Sequence, residues 1–300
     1  MNLASLTNDL IGPPRRVHLI GVAGSGMSGI AGLLLALGHR VSGSDKVATV
    51  EVGRLEKKGL QFRVPHQAGE VQDAELIVYS SAIKAGNVAY DEARRLGIPM
   101  VRRADALAAI MNAKKGIVIC GMHGKTTTSS MTAHVLRSCG LKPSHYVGAE
   151  IPILGTNARW DSEGEYFVAE GDESDGTLIN YHPELAIVLN IEPEHLDFYK
   201  DLAAIDAVYG KLVGQTRGKV VYCADDPGAT RVCSAHPGAV SYGKLPGSRY
   251  QLTNLVTENF RSRFGVQKEG QPLGEVRLNI PGAHNAVNAL AVITLALEMD

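Results

Sequence analysis

Lys125 stands in the stretch Gly121-Met-His-Gly124-Lys125-Thr126-Thr127-Thr128, directly after the apolar run GIVIC. Glycines let backbone close around an anion, N–H groups at a helix start point at it, and a lysine adds a mobile positive charge. The chemistry expected of that combination is a grip on phosphate. A full GxxxxGK loop has glycine where this chain has Ile119, so the loop is the shorter Gly121-x-x-Gly124-Lys125-Thr126. Thr126 offers a hydroxyl to Mg²⁺, and Thr127 and Thr128 can bond phosphate or cap the helix. ATP is the expected ligand; a capped helix without one is the alternative.

Mg²⁺ takes hard oxygen ligands, and YFVAEGDESDGT brings Glu170, Asp172, Glu173 and Asp175 to the end of one apolar run. Such crowding of acids is costly without cations or solvent. The next run, LAIVLNIEPEHLDFY, ends with Asn190, Glu192, Glu194, His195 and Asp197. His195 is a candidate metal ligand or hydrogen-bond partner of a transferred phosphoryl group, and no zinc spacing is present. In GAHNAVNALAVI, His284, Asn285 and Asn288 fall near a helix start; the two amides can read a base edge, or can serve only as caps.

A second glycine loop, Gly24-Ser-Gly26-Met-Ser-Gly29, follows the run VHLIGV and opens a helix, with Asp45 at the end of the next strand. This is the dinucleotide fingerprint, in which helix N–H groups hold a pyrophosphate and an acid accepts ribose hydroxyls. A nicotinamide dinucleotide and a nucleotide-diphosphate sugar both carry a pyrophosphate, and the loop does not separate them. Asp45 has an alternative reading as a strand end or helix cap. His39, His66, Ser80 and Ser81 fall near strand ends where a ligand could meet them.

Positioning these residues requires repeated strand–loop–helix units. VHLIG, RVSGSD, QFRV, LIVYSSAI and PMVR read as strands, with helices over SGMSGIAGLLLALG, DEARRLG and ADALAAIM. GIVIC, YFVAEGD, LAIVLNI and KVVYCAD read as a second set, with a helix over DLAAIDAVYGKLV, antiparallel edge strands between SYGKLPG and RLNIP, and a last helix in GAHNAVNALAVITLALEMD. The expected class is α/β: a Rossmann-like parallel-sheet domain over 1–112 and a P-loop NTPase-like domain over 113–300. A net charge of −1, with 45% apolar and 20% charged residues, suits two packed cores and gives no footprint for nucleic acid. The four cysteines lack CxxC spacing and the GLLLAL stretch is too short to span a bilayer, so a cytoplasmic chain with reduced thiols and no membrane partner is expected.

Taken together, IGVAGSGMSGIA, VSGSD, YSSAI, GMHGKTTTSSM, VAEGDESDG, LNIEPEHLDFY and GAHNAVNALAVI resemble the Mur ligases, the ATP-dependent amide-bond synthetases of peptidoglycan assembly. The resemblance runs from near Arg16 to the last residue. It implies an enzyme that activates UDP-N-acetylmuramate with ATP and adds L-alanine, its first domain holding the uridine nucleotide along Gly24, Gly26 and Gly29. It further implies that Lys125 meets the ATP phosphates, Thr126 and Glu173 hold one Mg²⁺, His195 serves a second metal position, and Asn285 and Asn288 recognise adenine. The family commonly has threonine at the place of Met122 and alanine at that of Gly171. Some relatives carry a carbamoylated lysine, and Lys211 falls in that region, although the alanine-adding branch is not expected to use one. Such enzymes continue into a third domain, which this sequence does not reach, so an incomplete active site is expected. The alternatives are a sister ligase that attaches a recycled peptide, an NAD-dependent oxidoreductase, and a nucleotide-binding module without catalysis.

Overall fold

A computed structural model of the chain describes residues 2–174, 176–194 and 198–299. They form two compact units: the chain up to Lys114 together with Ser144–Gly164, and Lys115–Pro143 together with the chain from Glu165 onward. A single cut separates the domains expected from sequence, 1–112 and 113–300; in the structure, Ser144–Gly164 belongs to the first unit.

The first unit runs α1 (Leu3–Ile11), β1 (Arg16–Ile20), α2 (Ser25–Ala36), β2 (Arg40–Ser44), α3 (Val50–Glu56), β3 (Gln61–Arg63), β4 (Leu76–Tyr79), α4 (Val88–Arg95), β5 (Met100–Arg102) and α5 (Arg103–Met111). Its strands are parallel in the order β3-β2-β1-β4-β5. Val17, Leu19 and Ile20 are buried, as a strand covered on both faces requires. The chain leaves β1 towards β2 and later returns to the other side of β1 as β4. That reversal opens a crevice at the carboxyl ends of β1 and β4, where ligands bind in such sheets.

The helix α1 was not expected. Asn2 caps it by accepting from the Ser5 N–H, and Leu6 and Leu10 bury one face. In the returning segment, β7 (Ser144–Tyr146) and β8 (Ala158–Arg159) pair antiparallel. This hairpin packs on the first turns of α2: Tyr146 donates to the Gly26 carbonyl at 3.0 Å and Asn157 to the Ser25 carbonyl at 2.8 Å.

The second unit contains β6 (Lys115–Cys120), α6 (Lys125–Ser138), β9 (Tyr166–Glu170), β10 (Leu185–Val188), α7 (Leu202–Gln215), β11 (Val220–Cys223), α8 (Pro227–Cys233), β12 (Ala239–Gly243), β13 (Tyr250–Glu258), β14 (Arg261–Lys268), β15 (Gln271–Leu278) and α9 (Ala283–Leu297). Its strands lie in the order β15-β14-β13-β12-β11-β10-β6-β9. Those from β9 to β13 are parallel, and β13, β14 and β15 form an antiparallel edge, as the alternating sequence there predicts. The neighbours of β6 are β10 and β9, so the acid-rich ends of those two strands flank the glycine loop after β6. Among the described residues, no helix is long and apolar enough to cross a membrane.

Candidate functional site

The loop between β6 and α6 needs its glycines. Gly121 has φ +139° and Gly124, the residue before α6, has φ +86°, in the left-handed region that favours glycine. A side chain would also collide. A Cβ on Gly121 would lie 2.9 Å from Leu189 Cβ, and one on Gly124 3.0 Å from Asn288 Oδ1. Asn190, just beyond β10, clamps the loop: its Oδ1 accepts from His123 N–H at 2.8 Å and its Nδ2 donates to the His123 carbonyl at 3.0 Å. His123 Nε2 is also 3.3 Å from a Glu194 carboxylate oxygen.

Lys125 Nζ is folded back over this loop. It donates to the carbonyls of Gly121 at 2.7 Å and Met122 at 3.1 Å, and pairs with Glu173 Oε1 at 2.7 Å. An ammonium has three donors, and three acceptors meet it here. The Glu173 side chain is 2% exposed, and burial pushes its carboxyl above the ordinary range while Lys125 pulls it down. Tyr199 holds the main chain at this point by donating to the Glu173 carbonyl. Thr126 Oγ1 donates to Glu170 Oε1 at 3.0 Å. Thr127 is half-buried in the first turn of α6.

The donor set around Thr126 fits a Mg²⁺ that arrives with ATP. Such an ion uses one or two carboxylates, phosphate oxygens and water rather than a cage built wholly from protein. The Thr126 hydroxyl and the carboxylates of Glu170 and Glu173 offer hard oxygens, and among the described residues no three His, Cys, Asp or Glu side chains form a metal cage. His195, Asp175 and Asp197 lie outside the described residues.

Beside the loop, a cavity of about 300 Å³ is lined by Asn190, Asp225, Lys244, His284, Val287 and Asn288, among others. Asn288 is therefore at the loop, whereas Asn285, in the first turn of α9, donates its Nδ2 to the Pro281 carbonyl at 2.7 Å. Asp225 accepts from the N–H groups of Lys244 and Leu245, each at 2.9 Å, and so fixes the cavity wall after β12. Sequence reasoning did not single out Asp225, Lys244 or Tyr199: the first two stand outside the matching stretches, and Tyr199 closes LNIEPEHLDFY as an aromatic with no charge or metal-ligating atom to mark it. Lys211 is exposed on α7.

In the first unit, Asp45 Oδ2 accepts from Ala23 N–H at 2.8 Å and thus braces the loop after β1. Gly24 precedes α2 as its cap residue. Gly26 and Gly29 make room for the returning hairpin: a Cβ on either would lie 2.8 Å from Tyr146. Their missing side chains are thus required by packing, which the fingerprint alone does not reveal. Ser80 accepts from Ala82 N–H at 3.3 Å in a turn, and Ser81 is exposed beside it. His66 is half-buried and bonded to Ser44. His39 is at the opposite end of its strand, where its ring nitrogens meet the Leu10 carbonyl and Arg15 N–H, so it ties α1 to the sheet.

Comparison with known proteins places these features in a family. The description of the Mur ligase family catalytic domain matches residues 16–115, and that of the Mur ligase middle domain matches 119–296. The chain is 40% identical over 292 residues to a UDP-N-acetylmuramate–L-alanine ligase of Sorangium cellulosum, covering 96% of this chain and 62% of that protein. It is 41% identical over 288 residues to the protein of that name from Myxococcus xanthus, covering 95% and 61%. It thus spans less than two thirds of the length of these relatives. Among solved structures, the UDP-N-acetylmuramate-alanine ligase of Thermotoga maritima superposes with a TM-score of 0.86 at 28% identity, covering 95% of this chain and 66% of that one. A UDP-N-acetylmuramate:L-alanyl-gamma-D-glutamyl-meso-diaminopimelate ligase from Neisseria meningitides gives the same TM-score, 0.86, at 27% identity, covering 95% and 94%.

Proposed function

As the chain belongs to the Mur ligase family, we propose that it is the nucleotide-binding part of a cytoplasmic ligase that uses ATP to join L-alanine to UDP-N-acetylmuramate. The observation that carries the reading is the setting of Lys125, a lysine held between glycine-loop carbonyls and a buried carboxylate, with the Thr126 hydroxyl on a second acid. The two units take separate tasks in this account. The first holds the sugar nucleotide near the loop braced by Asp45, with His66, Ser80 and Ser81 on neighbouring strand ends. The second holds ATP between the Lys125 loop and the α9 wall.

A carboxylate is a poor acceptor for an amine because an oxyanion would have to leave. Transfer of the ATP γ-phosphoryl to the lactoyl carboxylate forms an acyl phosphate and releases ADP. The amine of L-alanine then attacks the acyl carbon, and phosphate leaves as the amide forms. Lys125 exchanges its carbonyl partners for phosphate oxygens and stabilises charge as the phosphoryl group moves. The Gly121–Gly124 turn aims its N–H groups at the same phosphates. Bound Mg²⁺ would neutralise phosphate charge, held by Thr126, Glu173 and His195. Asn288 and Asn190 line the cavity proposed for the nucleoside end, and Asn285 supports the start of α9.

Replacement of Lys125 by alanine in the full-length enzyme tests this. Turnover should vanish while UDP-N-acetylmuramate binding stays nearly unchanged; an active variant removes Lys125 from the chemistry. A second reading, attachment of a recycled peptide to the same sugar nucleotide, draws support from the equal structural likeness to a peptide-adding ligase. Competition between L-alanine and the tripeptide separates the two.

A further inference from the structure

The loops after β2, β3 and β4 enclose a cavity of about 470 Å³, lined by Lys46, His66, Lys84 and Asn87 among others. Behind it runs a chain of hydrogen bonds. His66 Nδ1 is 2.8 Å from Ser44 Oγ, Ser44 Oγ is 3.2 Å from His18 Nε2, and His18 Nδ1 is 2.9 Å from Ser42 Oγ. Ser44 is fully buried and His18 is 1% exposed. With Nδ1 taken by Ser44, recognition through the His66 ring falls to Nε2.

The proton count couples the two rings. A hydroxyl carries one proton and a neutral imidazole one N–H, so Ser44 cannot donate to both histidines. With both rings neutral and each proton between the four groups given an acceptor among them, two settings remain. In one, His66 Nδ1–H donates to Ser44, Ser44 donates to His18 Nε2, and His18 Nδ1–H donates to Ser42. The bare His66 Nε2 is then an acceptor. In the other, Ser42 donates to His18 Nδ1, His18 Nε2–H donates to Ser44, Ser44 donates to His66 Nδ1, and His66 Nε2–H becomes a donor. Burial, with His66 as the smaller cause, brings His18 down to about 4, so near neutral pH it carries the single N–H that either setting needs.

A ligand suited to the cavity chooses between them. Lys46 and Lys84 are donors only, so a ligand matched to this wall presents oxygens, as base carbonyls and phosphates do. A bare Nε2 would face those oxygens lone pair to lone pair. We propose that Ser44 and His18 are positioning residues that hold His66 as its Nε2–H tautomer, ready to donate to an acceptor oxygen of a bound nucleotide. The inference rests on the reading of the first unit as the sugar-nucleotide site, but the tautomer itself is a property of the free protein.

The test uses the whole 300-residue chain, with UDP as probe. Ring ¹⁵N shifts of His66 without ligand should report Nε2–H; an Nδ1–H ring overturns the proposal without any variant. Ser44→Ala should weaken UDP binding by about three- to tenfold, the worth of one hydrogen bond. In a His66→Ala background the same change should have no further effect, because its action passes through that ring. Equal weakening in both backgrounds would make Ser44 merely structural and overturn the proposal. Failure of UDP to bind the native chain would overturn the nucleotide-site reading, while the ring shifts still decide the array.

Discussion

Lys125 illustrates how a binding group is kept ready at low cost. Its charge is compensated by Glu173 and two carbonyls, so phosphate oxygens can replace the carbonyls without leaving the ammonium unsolvated. Asn190 holds the loop in that form through both atoms of one amide. Asn190→Ala should weaken Mg-ATP binding by about tenfold, the worth of two hydrogen bonds at about 0.5–1 kcal/mol each, as read by calorimetry. His18 makes a prediction of another kind. Its folded value near 4 lies below the ordinary 6.5, so the unfolded chain binds more protons between them and stability falls as pH drops through that window. The loss should be on the order of 3 kcal/mol; urea midpoints between pH 4 and 7 should show this slope, and His18→Gln should flatten it. At this scale Lys125 and its loop were legible because glycine, lysine and threonine stand together in sequence. The roles of Asn190, Asp225 and Tyr199 were not, because they arise from folding that brings distant strand ends beside the loop.

Among the elements, the inner parallel strands β1, β4, β6 and β10 were legible because they are buried on both faces and their runs are almost continuously apolar. The short helices α3 and α8 and the hairpin β7–β8 were not, having too few residues to display a period. Gly171 shows where element packing sets the residue. A Cβ there would lie 2.8 Å from Leu178 Cδ2 and 2.9 Å from Val118 Cγ1, at the end of β9. Gly171→Ala should therefore destabilise the second unit by about 1–3 kcal/mol through overpacking, measured by urea unfolding. An unchanged midpoint would mean that Leu178 yields.

The whole molecule is two units whose boundary in space is not a boundary in sequence. Ser144–Gly164 lies beyond β6 and α6 in the chain yet packs on α2, where Tyr146 fills the space left by Gly26 and Gly29. A fragment of residues 1–114 should accordingly unfold at a lower urea concentration than the first unit does within the entire chain. No periodicity could have assigned this segment, because its place is set by contacts with residues more than a hundred positions earlier. The central claim is that the first unit takes a uridine sugar nucleotide and the second takes ATP. Calorimetric titration of the 300-residue chain with UDP-N-acetylmuramate, and with NAD as the rival, tests its first half most directly. Saturable one-to-one binding of the sugar nucleotide and none of NAD is expected; binding of NAD alone would contradict the claim.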